Sequence, residues 1–236
     1  MGLFRFSSWV LLWPIVVVLF LYPINNEITR SGLVLSFLGL WMGCLYFGWG
    51  KRWLRVPFLS LTVLAIAFLA FPSTNYDLDK LRQNYVDHLR SYEGTRYVWG
   101  GENKLGVDCS GLVRTALVKA SFQQGIVTAN PSLVRFSLSL WWHDSTAKAL
   151  GEEYRNQTKH VLNAKSINEL EQNKIIPGDI AVTDSGVHVL ASLGNDEWIE
   201  ADPHFEKVVI VKVPTPKNPW FQEPVHIMRW TELQSE

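Results

Sequence analysis

The chain is poor in cysteine: 236 residues contain two, Cys44 and Cys109. Cys44 lies inside a long apolar run and Cys109 in a region of mixed polarity, so no disulfide is expected within the polar part. No Cys-x-x-Cys or His-Glu-x-x-His pair occurs. The closely spaced ligands typical of zinc sites are therefore missing, and neither a metal nor a cofactor is expected. Positive charge is not in excess either, with 22 Lys and Arg against 22 Asp and Glu. Without a basic face, nucleic acid is excluded as a partner.

What charge there is falls unevenly. Residues 1–72 carry five basic side chains (Arg5, Arg30, Lys51, Arg52, Arg55) and one acid, Glu27, whereas residues 73–236 carry 17 basic and 21 acidic ones. The first third holds three apolar runs, Trp9–Ile24, Gly32–Trp49 and Trp53–Phe71. Each approaches the roughly 17–25 residues that cross a bilayer as a helix. Tryptophans at positions 9, 13, 49 and 53 lie towards the ends of these runs, where interface anchors sit. No small-residue cleavage pattern follows the first run, which argues against a removable signal peptide. Residues 1–72 are thus expected to form three transmembrane helices in a lipid bilayer. Lys51, Arg52 and Arg55 place the second connection, and the N-terminus with it, in the cytoplasm by the positive-inside rule. Everything after Phe71 then emerges on the outer face.

Residues 73–236 read as one domain. After a short linker at Pro72–Asn75, Leu78, Leu81, Tyr85, Val86 and Leu89 mark a helix over Asp77–Ser91. Residues 122–175 are poorly legible, with a helical segment near Pro131–Leu150 that includes Trp141-Trp142-His143-Asp144. From Pro177-Gly178-Asp179 onward the period becomes two, giving strands at Ile180–Thr183, Val187–Leu193, Glu197–Ala201, Lys207–Val213 and Pro224–Trp230. In the second of these, Val187, Val189, Ala191 and Leu193 share one face and His188 lies on the other. Helices first and an antiparallel meander afterwards make an α+β domain.

One stretch organises this domain: Tyr97-Val98-Trp99-Gly100-Gly101, a short polar loop, then Asp108-Cys109-Ser110-Gly111-Leu112-Val113. Asp108 is a candidate N-cap, which puts Cys109 in the first turn of a helix carrying Leu112, Val113, Ala116, Leu117 and Ala120. The positive end of a helix favours a thiolate, and its free N–H groups can hold an oxygen that gains charge when a carbonyl is attacked. A thiol used this way needs a base and a group to orient that base. His188 is the candidate base, 79 residues downstream of Cys109; a half-buried, merely structural histidine is the alternative.

These motifs, with Pro177-Gly178-Asp179 and His188-Val189 following in order, resemble the NlpC-type, papain-like cysteine peptidases, which are bacterial peptidoglycan endopeptidases. The resemblance covers about Leu78 to Trp230. It implies a Cys109 nucleophile, a His188 general base, Tyr97 beside the nucleophile at the oxyanion site, and Asp108 and Ser110 lining the substrate cleft. The implied substrate is the γ-D-glutamyl–diamino-acid bond of the wall stem peptide. The implied location is the bacterial inner membrane, with the catalytic domain on its periplasmic side. Two features depart from the family pattern. Where the family usually has a polar third residue, most often histidine, this chain has Glu200, with His204 as the competitor beyond Pro203. The 122–175 segment is also larger than a minimal domain of this type needs. A non-catalytic wall-binding module, or an amidase or acyl transferase acting on a peptide or lipid, remain the alternative readings. Protein partners, activation and oligomeric state are not indicated.

Overall fold

The computed structural model of the chain describes residues 9–72 and 75–234; Ser73 and Thr74, in the expected linker, lie outside them. Of the three expected spans, two are long and apolar enough to cross a membrane: α2 (Glu27–Gly48) and α3 (Arg52–Ala70). The first run instead yields α1 (Leu12–Leu21), 10 residues long. At 1.5 Å per residue that is about 15 Å, and Trp9 and Val10 just before it are also helical. It stops because Tyr22, which precedes Pro23, turns extended at ψ 125°, as the steric demand of a following proline favours. Asn26 starts α2 by accepting from the N–H groups of Ile28 and Thr29, both at 3.0 Å.

The turn between α1 and α2 does not stand apart from the polar domain. Glu102 N–H donates to the Pro23 carbonyl at 2.9 Å and Asn25 N–H to the Gly100 carbonyl at 3.2 Å, which pairs Ile24 with Gly101 in an antiparallel bridge. Arg30, in the second turn of α2, donates to Glu102 Oε1 at 2.7 Å. Arg114 meets the same Glu102 oxygen and also Asp144, at 2.9 Å. Arg30 and Arg114 are both buried, so these carboxylates compensate two guanidinium groups removed from water.

Beyond the linker, α4 (Leu78–Arg90) is capped by Asp77 and buries Leu81, Tyr85, Val86 and Leu89. Each such apolar side chain contributes about 1.5–3 kcal/mol relative to exposure. A short hairpin of β1 (Glu102–Asn103) and β2 (Gly106–Val107) leads into α5 (Cys109–Val127). The helical segment expected over Pro131–Leu150 is divided into α6 (Pro131–Trp142) and α7 (Ala147–Gly151), each with its own N-cap, Asn130 and Thr146.

Six strands follow: β3 (Thr158–Ala164), β4 (Ile180–Thr183), β5 (Val189–Gly194), β6 (Glu197–Asp202), β7 (Lys207–Lys212) and β8 (Val225–Trp230). They form one sheet in the order β3-β8-β4-β5-β6-β7, antiparallel throughout. The meander is β4 to β7; β8 returns to the far side of β4, and β3, which the sequence did not reveal, pairs beyond it. The alternation expected in β5 holds from its first residue. Val189, Ala191 and Leu193 pack on the helices, and Leu190 packs in a second core with Trp198, Phe221 and Ile227. Val187 departs from it: it precedes the strand and is 66% exposed. The Pro-Gly-Asp turn is fixed by Asp179, which is fully buried. Asp179 takes a two-pronged contact from Arg229, 2.6 and 2.8 Å, and accepts Ile176 N–H at 3.0 Å.

Candidate active site

Cys109 owes its place to Asp108. The extended Asp108 backbone caps α5, and Oδ1 accepts from Gly111 N–H at 2.6 Å and the Ser110 hydroxyl at 3.1 Å. Oδ2 accepts from Gly100 N–H at 2.7 Å. A single carboxylate thus closes the helix end and ties the glycine pair to it. Burial raises the Asp108 pKa against the pull of these bonds. The side chains of Asp108 and Ser110 are therefore engaged within the turn itself. Gly111 is required by contact, since a Cβ there would run into the Gly101 carbonyl oxygen. Cys109 is 8% exposed, its sulfur 4.0 Å from the Val187 carbonyl oxygen. Helix geometry leaves the Cys109 and Ser110 N–H groups without intrahelical acceptors.

Tyr97 is close enough to feel the charge of Cys109. Burial, then the nearby Cys109, Asp108 and Asp202, push its pKa up to about 12. Its hydroxyl stays protonated near neutrality and can donate a hydrogen bond.

His188 sits immediately before β5, where its N–H is held by the Thr183 hydroxyl at 3.0 Å. Its ring is buried, and Nε2 meets Glu200 Oε2 at 2.6 Å. The nearby Cys109 also favours the charged imidazole, while Nε2 is taken by Glu200. Burial is the largest influence on this imidazole and works against its charge, but its bonds to Cys109 and Glu200 outweigh it. The result is a pKa raised to about 9. The geometry pairs the imidazole with a carboxylate, and the thiol at the α5 N-terminus acts on that imidazole electrostatically. Such an arrangement can hold a thiolate–imidazolium pair and pass a proton between sulfur and a departing group.

Glu200 is itself fully buried, and Asn218 Nδ2 donates to its second oxygen. His204 is not part of this arrangement. Asp202 Oδ1 accepts from the N–H groups of His204 and Phe205, at 2.6 and 3.2 Å, forming a turn that leaves His204 exposed. Nor do His143 and Asp144 pair: His143 Nδ1 contacts the Ser139 carbonyl at 2.9 Å, while Asp144 turns to Arg114.

Asn218 and Trp220 escaped the sequence reading. Asn218 starts a short helical turn, Pro219–Gln222, by accepting Trp220 N–H. Trp220 then stacks on the His188 ring. The Asn-Pro pair signals a helix start, but nothing local says that this loop reaches Glu200 and His188. Among the described residues, no group of three or more His, Cys, Asp or Glu could hold a metal ion.

The NlpC/P60 family profile matches residues 94–229, more than half of the chain, and the chain belongs to that family. No curated protein matches it. Among solved structures it is similar to NlpC1 from Trichomonas vaginalis, at 20% identity and a TM-score of 0.41 over 68% of this chain and 48% of that one. The P60 domain of an antigen from M. avium subspecies paratuberculosis gives 20% identity and 0.40 over 67% of this chain and 98% of that one. The peptidoglycan hydrolase RipB from Mycobacterium tuberculosis gives 20% and 0.39 over 63% and 65%. The chain thus spans about half the length of the T. vaginalis protein.

Proposed function

We propose that this protein is a membrane-anchored cysteine hydrolase that cleaves peptide bonds in peptidoglycan stem peptides, at the γ-D-glutamyl–diamino-acid linkage. The observation that carries the reading is the buried His188–Glu200 pair, with Cys109 as the first residue of α5 and electrostatically coupled to that histidine. Cys109 Sγ attacks the scissile carbonyl. The developing oxyanion is held by N–H groups at the helix start and by the Tyr97 hydroxyl. His188, charged through its pairing with the thiolate, protonates the departing amine and then takes a proton from the water that releases the acyl group. Glu200 fixes the imidazole tautomer and favours its charged form, and Asn218 fixes Glu200. Family membership and the peptidoglycan hydrolases among the similar structures support the substrate class.

Anchoring is supported by α2 and α3, whose side chains are largely unpacked: Leu35, Met42, Trp53, Leu64 and Ile66 are all more than 60% exposed. Two crossings place residues 22–26 and the polar domain on one side of the membrane, whether or not α1 also crosses. The bonds from Pro23 and Asn25 to the glycine loop require that same arrangement. Lys51, Arg52 and Arg55, at the opposite end of the hairpin, put the polar domain on the periplasmic face.

The test is digestion of stem peptides of defined composition by the full chain in detergent, with products resolved by mass. Cleavage that disappears in Cys109→Ser supports the reading. Cleavage that persists in that variant, or no cleavage of any stem peptide by the wild type, defeats it.

A further inference from the structure

A mostly apolar recess lies away from Cys109, between α1, α2 and the polar domain. It encloses about 500 Å³, within the range of small-ligand sites. Leu19, Phe20, Tyr22 and Leu33 form one wall, and Val118 and Trp141 face them from α5 and α6. Lys104 and Lys119 also line it.

These two ammonium groups flank one ring: Lys104 Nζ is 3.9 Å and Lys119 Nζ 4.7 Å from the centroid of Tyr92. Lys119 donates to the Tyr92 hydroxyl at 2.6 Å and Lys104 to Ser91 Oγ at 2.9 Å. Among the described residues neither lies in an ion pair with a carboxylate. The acid nearest in the lining, Glu102, is bound to Arg30 and Arg114. Burial lowers the pKa of both lysines, and Lys119 lowers that of Lys104 further. An anion close to both would oppose both effects.

We infer that this recess binds one anionic phospholipid of the outer leaflet, with an acyl chain against Leu19, Phe20 and Leu33 and the phosphate beside the Lys104 and Lys119 side chains that line it. The recess lies where α1 ends and α2 begins, and it is lined by Tyr22 and Trp141, residue types that favour the headgroup level. Basic pockets beside transmembrane helices recognise such headgroups by charge. The inference rests on the membrane-anchored reading above.

The test uses the full chain in micelles, exposed to equal amounts of phosphatidylglycerol and phosphatidylcholine with identical acyl chains, and retained lipid is read by native mass spectrometry. Retention of phosphatidylglycerol by about tenfold over phosphatidylcholine is expected, from two ammonium contacts. Lys104→Gln with Lys119→Gln should bring the ratio near one, Lys104→Arg with Lys119→Arg should keep it, and Lys174→Gln, at a distant surface, should leave it unchanged. Equal retention by the wild type overturns the proposal, as does a preference that survives the double Gln change. Displacement of the lipid by glycerol phosphate alone, or by a polyprenyl diphosphate in preference, also overturns this choice of occupant. Alkaline extraction of cell membranes separates the two readings. A chain released into the soluble fraction overturns anchoring and lipid site together, whereas a chain kept in the pellet without lipid preference overturns only the lipid site.

Discussion

Trp220 lies flat against His188, their ring centroids 4.3 Å apart and their planes 20° from parallel. The indole face is electron-rich, so it stabilises the imidazolium more than the neutral ring, by about 1–2 kcal/mol in a desolvated site. It also covers one side of the buried pair. Trp220→Leu is therefore expected to lower the His188 pKa by about one pH unit. NMR titration of the imidazole checks this directly, and an unchanged midpoint would leave Trp220 as packing alone.

The alkaline limb of activity should fall near pH 9, where His188 loses its proton. Glu200→Gln removes the anion that holds this charge, so the limb moves to lower pH and kcat/KM drops by at least about 10²-fold. Asn218→Ala removes one bond to the carboxylate, a smaller loss of about tenfold. The measurement is a pH–rate profile on a cleaved stem peptide for all three proteins.

The same pairing links stability to pH. The folded pKa of His188, about 9, lies above its ordinary value of 6.5. Its contribution is therefore present in full below pH 6.5 and is lost as pH rises through 9. Cys109→Ala deletes one of the two groups that raise that pKa. Between pH 6.5 and 9.5 the wild type should lose more Tm than Cys109→Ala does, as read by thermal melts of the full chain in micelles.

Asp179 is buried with Arg229 as its charged partner. Arg229→Met leaves that carboxylate uncompensated, at a cost of roughly 3 kcal/mol. A denaturation midpoint indistinguishable from wild type would show that backbone donors such as Ile176 suffice.

The legibility of the sequence followed the locality of the forces. The start of α5 could be read because Asp108 acts on Gly111, three residues on, and β4 to β7 could be read because each turn is short and each strand alternates. β3 could not, because a register shift between His160 and Leu162 breaks its alternation, and its polar Lys159, His160 and Asn163 obscure what remains. His188 was legible as a candidate but its surroundings were not. The strand pattern favoured Glu200 over His204, and the structure pairs His188 with Glu200, yet Asn218 and Trp220 come from a loop after β7 with no periodic signal. Arg30 read only as one of the five basic side chains of residues 1–72, since nothing near it in sequence discloses Glu102, 72 residues away.

The bridge between Ile24 and Gly101 changes what counts as a module in this protein. The turn between α1 and α2 is also the outer neighbour of the loop that seats Cys109, so the family match over residues 94–229 is narrower than the unit that holds the thiol in place. Transplanting the domain onto a foreign anchor would have to carry residues 22–30 with it.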